Sequence, residues 1–263
     1  RSGQRRYIRT LNPPMRRRFF VEQFDSQTAA LSGETAEHLG RVLRAEVGQL
    51  YELSDGHSVW LARIERVALS KRGESRIEFA LVEPVAAREP SVQIDVLLSL
   101  VKFDRFEWCL EKATELGARE IVPLAAARSE KALIGAAEKR RSRWEKILAE
   151  SAQQSRRLRP PAMGGVISPE KAFAECAART RIFLTERREA PPIREVLSAA
   201  TSGAEPGSRR VAAIAIGPEG GWTDAEIAAA GGAGFAEVSL GENILRTETA
   251  VLATMAILGF ALG

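Results

Sequence analysis

Apolar and polar positions along the chain keep one rhythm up to about Glu89-Pro90 and another beyond it. In the first stretch, Arg18-Phe19-Phe20-Val21, Leu50-Tyr51-Glu52-Leu53, Val59–Ile64 and Arg76–Val82 mix aromatic and β-branched residues in partial alternation, between turn signals at Asp55-Gly56 and Arg72-Gly73. That is the pattern of short, half-buried strands. One helix is predicted inside TAEHLGRVLR, with Ala36, Leu39, Val42 and Leu43 at helical spacing and His38, Arg41 and Arg44 on its polar side. In the second stretch, near-continuous apolar strands at Ser91–Val101, Ile121–Leu124, Arg181–Leu184, Val211–Ile216 and Ala236–Leu240 alternate with helices. The helices are predicted at Phe103–Gly117, Ala137–Leu158, Pro169–Ala177, Pro192–Ala199, Thr223–Ala230 and from Thr247 onward. Such alternation predicts an α/β unit on a mostly parallel, doubly wound sheet. Residues 200–208 (ATSGAEPGS) read as a polar loop.

Open α/β sheets bind ligands outside the carboxyl ends of their strands, which directs attention to three loops, Leu184–Arg188, Ile216–Thr223 and Leu240–Thr249. The second reads IGPEGGWT. Its three glycines within five residues let backbone approach a ligand closely, and Thr223 with Glu226 has the spacing of a capping box. Taken alone, such a loop serves equally well as a tight turn before a capped helix. Neither GxGxxG nor GxxxxGK[ST] occurs, which disfavours a dinucleotide fold and a P-loop. The third loop leads into a helix that opens Arg-Thr-Glu-Thr and then turns apolar (AVLATMAIL), as if its start faced a ligand and its body a core or a subunit interface.

Composition sharpens this in two respects. A chain of 263 residues suits two domains, drawn here as residues 15–89 and 90–263, with 1–14 read as a tag or disordered extension. Residues 1–14 carry four arginines and no acid, so the formal charge of +4 falls to zero without them. An anionic partner must therefore be argued from local clusters: Lys139, Arg140, Arg141, Arg143 and Lys146, then Arg156, Arg157 and Arg159. The first cluster also fits a solvated helix with pairs such as Arg141–Glu145. Cys109 and Cys176 are too far apart for a CxxC motif, and a chain of this size needs no disulfide, which suggests the cytoplasm. The longest apolar run, Ala250–Gly263, falls short of the roughly 20 residues that span a bilayer.

IGPEGGWTDAEI followed by SLGENILRTETAVLA resembles the cofactor-binding end of the SPOUT methyltransferases, specifically the RsmE-type 16S rRNA (uracil-N3) methyltransferases. RRFFVE, HLGRVLRAEVGQLYELSDG and KFDRFEWCLEKATELGAREIVPL resemble the same family in order and spacing. The resemblance implies a small PUA-like β-barrel domain that helps to hold RNA, with Arg17, Arg18, Arg41 and Arg44 as candidate contacts. It also implies an α/β domain with a trefoil knot, acting as a homodimer on rRNA of the small ribosomal subunit. S-adenosylmethionine would contact Leu184, Ala215, Gly217, Gly220, Gly221, Leu240, Gly241, Ile244 and Leu245, with Thr247 and Thr249 at the methyl-donor end. No metal is implied. Lys102 and Arg105 lie just past the first strand of the second stretch, at a strand's carboxyl end, and are candidate RNA contacts on that ground; Gln154, Arg157 and Arg159 are further candidates. Gln154 and Arg157 match the family pattern Glu-Gln-Ser/Cys-Gly-Arg, whereas Gln153 and Arg156 depart from it, Arg156 standing where the family has glycine.

Methyl transfer to a ring nitrogen is an in-line displacement, helped by holding the nitrogen close to the methyl group. A neutral uracil N3 must also lose its proton. Both histidines precede Ser91, which excludes a histidine base from the second domain. Arg246 is expected to stabilise the developing uracil anion, with Glu219 or Glu248 accepting the proton. Glu248 suits the helix dipole equally well. The alternatives are a noncatalytic RNA-binding or ribosome-assembly factor, and a SPOUT enzyme that methylates a ribose 2′-OH.

Overall fold

The computed structural model describes residues 17–70, 74–87, 89–201 and 210–263. The 1–14 extension, the Arg72-Gly73 turn and most of the 200–208 loop lie outside the described residues. Two compact units divide after Ala87.

The first unit holds β1 (Arg18–Phe20), β2 (Thr28–Ser32), β3 (Leu50–Ser54), β4 (Val59–Ala68) and β5 (Arg76–Val85), ordered β1-β3-β4-β5-β2. β1 runs parallel to β3 and the other pairings are antiparallel. Register shifts between Leu61 and Ala62 and between Ile64 and Arg66 bend the long β4–β5 pair. Among the described residues β1 and β2 do not pair with each other, so the expected barrel is a half-barrel. Phe19, Leu31, Leu39, Leu53, Ile64, Ile77 and Phe79 form its core. Strand β2 (TAALS) was not predicted; its composition is weak for a strand, and its order comes from pairing with β5.

Two expectations in this unit are corrected. Helix α1 (Gly33–Glu37) runs into a π-helical turn, His38–Val42, closed by the Leu43 N–H donating to the His38 carbonyl at 3.1 Å. The wider turn breaks the 3.6-residue period, so Ala36 and Leu39 are buried while Val42 is 65% exposed. Arg18, expected at RNA, is only 6% exposed, because the β1–β3 register sets it opposite Glu52. Its Nε and Nη2 donate to Glu52 Oε2 at 3.1 and 2.8 Å. It holds the sheet together.

The second unit begins with β6 (Val92–Ser99), α2 (Phe103–Glu115), β7 (Ala118–Leu124), α3 (Lys131–Ala136), α4 (Arg141–Gln154), β8 (Ala162–Met163) and α5 (Pro169–Glu175). It continues with β9 (Thr180–Leu184), α6 (Ile193–Thr201), β10 (Arg210–Ile216), α7 (Asp224–Gly232), β11 (Ala236–Val238) and α8 (Thr247–Leu262). All pairings in its sheet are parallel, in the order β11-β9-β10-β6-β7-β8. Both faces of the central strands are covered, which explains their nearly unbroken apolar sequences. Phe106, Leu110, Trp144, Leu148, Val251, Met255 and Leu258 pack on one face, and Phe173, Trp222, Ala230 and Phe235 on the other.

The helix expected over 137–158 is broken into a 3₁₀ turn, Ala137–Arg140, and α4. α4 ends in a Schellman motif: the Arg156 N–H donates to Gln153 O at 3.4 Å and the Arg157 N–H to Ala152 O at 2.9 Å. Arg156 takes φ +55°, so the left-handed position filled by glycine in the resembled pattern is kept here by an arginine.

Candidate active site

Strands β11, β9 and β10 are neighbours and end level with one another, since Val238 lies beside Leu184 and Ala215 beside Phe183. The three candidate loops therefore leave the same edge of the sheet together. In the second loop the Gly221 N–H donates to Pro218 O at 2.9 Å, closing a turn, and Gly221 has φ +68°. Thr223 and Glu226 form the predicted capping box on α7. The buried Glu226 also accepts the Ala127 N–H at 2.9 Å, which fixes the loop after β7.

Trp222 closes the floor of this site. Its indole packs against Phe183, with centroids 4.8 Å apart, and a Cβ on Gly217 would sit 2.9 Å from its Nε1. Gly217 thus has to be glycine because of Trp222. The third loop meets the second where Thr247 Oγ1 reaches the Gly217 carbonyl at 3.5 Å. Gly241 has φ +132°, Ile244 is 77% exposed, Leu240 and Leu245 are half-buried, and Thr249 is exposed. Leu184 is buried at the strand end. Ala215 departs from expectation. It is wholly buried, with neighbouring strands paired on both sides, so it supports the floor without offering a contact.

Arg246 is exposed at the N-cap of α8. Glu248, the second residue of α8, is half-buried, and its Oε2 has no hydrogen-bond partner. Burial, then the Glu248 carboxylate, pushes the Cys109 thiol on α2 up to about 12. Glu219 is held by the Arg105 guanidinium. Lys102, the exposed N-cap of α2, lies at the same sheet edge as Arg105.

Gln154, Arg157 and Arg159 do not join them. Arg157 donates to the Thr114 carbonyl at 2.8 Å and to that of Ala118, the first residue of β7, at 2.5 Å. That places it at the amino edge of the sheet, opposite the three loops. Burial, then the nearby charge of Arg159, lowers its pKa to about 10, which leaves it a cation at neutral pH. Its expected RNA contact is corrected to a clasp between α2 and β7. Arg159 reaches Glu89 at 3.4 Å. In the other cluster Arg140 and Arg143 both grip Glu107, and Arg141 donates to the Met163 and Gly164 carbonyls. In the first unit Arg17 and Arg44 are exposed, Arg44 at φ +52°, and Arg41 donates to Ser70 O at 2.6 Å.

Arg128 was missed. It follows β7 at a strand's carboxyl end, the rule that selected Lys102 and Arg105, and its Nη1 donates to the Gly220 carbonyl at 3.0 Å. Among the described residues no cluster of histidine, cysteine and acidic side chains fit for a metal occurs, and no helix is long and apolar enough to cross a membrane.

Residues 88–259 match the model of the RNA methyltransferase domain family. A Bacillus subtilis protein, ribosomal RNA small subunit methyltransferase E, is 32% identical over 92% of this chain and 96% of its own. The Synechocystis protein of the same name is 30% identical over 89% of this chain and 74% of its own. The crystal structure of a ribosomal RNA small subunit methyltransferase E from Neisseria gonorrhoeae bound to S-adenosyl methionine superposes with a TM-score of 0.74 at 27% identity, covering 93% of this chain and 97% of that one.

Proposed function

The chain belongs to the RNA methyltransferase family, and on that premise we propose that it transfers a methyl group from S-adenosylmethionine to N3 of a uridine in the 16S rRNA of the small ribosomal subunit. The observation that carries this reading is the convergence of the three loops at the carboxyl edge of the sheet, around the closely packed backbone of Gly217, Gly220 and Gly221. Added Cβ atoms there would crowd Trp222, Arg128 and Glu186, at 2.9, 3.2 and 3.1 Å. That packing fixes the backbone of the turn at the edge where an open α/β sheet receives its ligand. Leu184, Gly217, Gly220, Gly221, Leu240, Gly241, Ile244, Leu245, Thr247 and Thr249 would hold the cofactor, which when bound supplies an electrophilic methyl group on a sulfonium. The names of the two curated relatives and the ligand of the Neisseria protein support the choice of RNA and of cofactor.

Arg246, exposed at the N-cap of α8, stabilises the negative charge that spreads over the uracil oxygens as N3 is deprotonated. Glu248 accepts that proton, directly or through water, because it keeps a carboxylate oxygen without a partner whereas Glu219 is engaged by Arg105. Lys102 and, in the half-barrel, Arg17, Arg41 and Arg44 bind RNA phosphates. The chain passes through the trefoil knot that the family resemblance implies, and the protein works in the cytoplasm, where ribosomal subunits are. Two copies pair through the apolar outer face of α8, where Phe260 is 93% exposed. Transfer of label from S-adenosylmethionine to 16S rRNA in unmodified small subunits tests the activity; absence of transfer by a chain that binds the cofactor would favour an assembly factor.

A further inference from the structure

We propose that Arg105 and Arg128 are positioning residues that hold the Pro218–Gly221 turn in the shape that receives the cofactor. This rests on the reading that the turn binds S-adenosylmethionine. Neither arginine belongs to the three candidate loops. Arg105, the third residue of α2, donates to Glu219 Oε1 and grips the turn by its side chain. Arg128 grips it by its backbone, through the bond to Gly220 O, and its own Cβ stands 3.2 Å from the position a Gly220 Cβ would take. The segment that carries Arg128 is itself anchored on both sides. The Ala127 N–H donates to Glu226, and Ser129 Oγ donates to Leu100 O at 2.7 Å. The turn is thus tied to α2 and to the β7–α3 connection, two elements packed on the core of this unit.

The physical need for such a brace follows from the composition of the turn. Two adjacent glycines give the free chain more backbone conformations than any other residue pair. If only a fraction of molecules hold the receptive shape, the apparent Kd rises by the inverse of that fraction. The two arginines raise the fraction before the cofactor arrives. Arg105 is thereby committed to Glu219 and not to an RNA phosphate, which revises its sequence-based assignment.

The test uses the full chain and measures binding by calorimetry with S-adenosylmethionine alone, without RNA. Amide exchange over residues 217–223 is followed in parallel. Arg105→Ala and Arg128→Met, the latter keeping much of the stem, are each expected to raise Kd about five- to tenfold and to speed exchange in the turn. The charge-swapped pair Arg105→Glu with Glu219→Arg should recover most of the affinity lost in Arg105→Glu, a rescue that general destabilisation does not produce. Unchanged Kd and exchange in the single variants would overturn the proposal, as would a swap no better than Arg105→Glu. Loss of RNA affinity with an unchanged cofactor Kd would also overturn it and return Arg105 to phosphate binding. An unaltered chain that binds no cofactor would remove the cofactor reading itself, and the brace with it.

Discussion

Trp222 donates its indole N–H to the Leu184 carbonyl at 2.9 Å, a bond between the glycine loop after β10 and the last residue of β9. It joins two of the three loops at the sheet edge, while the same ring blocks any side chain on residue 217. Trp222→Phe keeps an aromatic ring and leaves a buried carbonyl unpaired, an expected loss of about 1–3 kcal/mol in urea denaturation. Gly217→Ala should cost cofactor affinity in calorimetry by displacing the indole. Unchanged affinity in both variants would separate this floor from cofactor binding.

Arg246→Ala should largely abolish methyl transfer while cofactor binding stays measurable. Arg246 is exposed and its side chain makes no capping bond on α8. Transfer at near the unaltered rate would remove Arg246 from the mechanism.

Arg157→Ala should destabilise the second unit by about 2–4 kcal/mol, since two carbonyls lose a charged donor, and should leave RNA affinity unchanged. Arg156→Gly next to it should stabilise by about 0.5–1 kcal/mol, because glycine takes the left-handed position without a Cβ penalty. Both are read from denaturation midpoints. A fall in RNA affinity for Arg157→Ala with stability unaltered would reinstate the phosphate contact.

These neighbours mark how far the sequence could be read. The parallel strands, the glycine turn and the Thr223–Glu226 cap were legible because each is a local pattern. The role of Arg157 was not, because its acceptors, the carbonyls of Thr114 and Ala118, lie about forty residues away and no side chain announces them. Arg18 was misread for the same reason: its partner Glu52 is supplied by strand register. Strand β2 likewise depends on pairing with the distant β5, which overrides weak local propensity.

Cys109 is fully buried, and its thiol stays protonated up to about pH 12. It should resist thiol reagents in the native state at pH 8. The unfolded thiol titrates at about 8.5, so this residue's contribution to stability is complete below that pH and falls as pH rises toward 12. Cys109→Ala should flatten the alkaline fall in stability; an identical pH profile would show that other groups govern it.

Phe260→Glu should convert a dimer into monomers in light scattering, because it puts a charge on the apolar outer face of α8. A monomeric unaltered chain would contradict the proposed pairing.

The central claim is tested most directly by nucleoside mass spectrometry of 16S rRNA from unmodified small subunits incubated with the purified protein and labelled S-adenosylmethionine. The account predicts labelled N3-methyluridine, lost in Arg246→Ala. Label in a 2′-O-methyl nucleoside, or none despite measured cofactor binding, would contradict it.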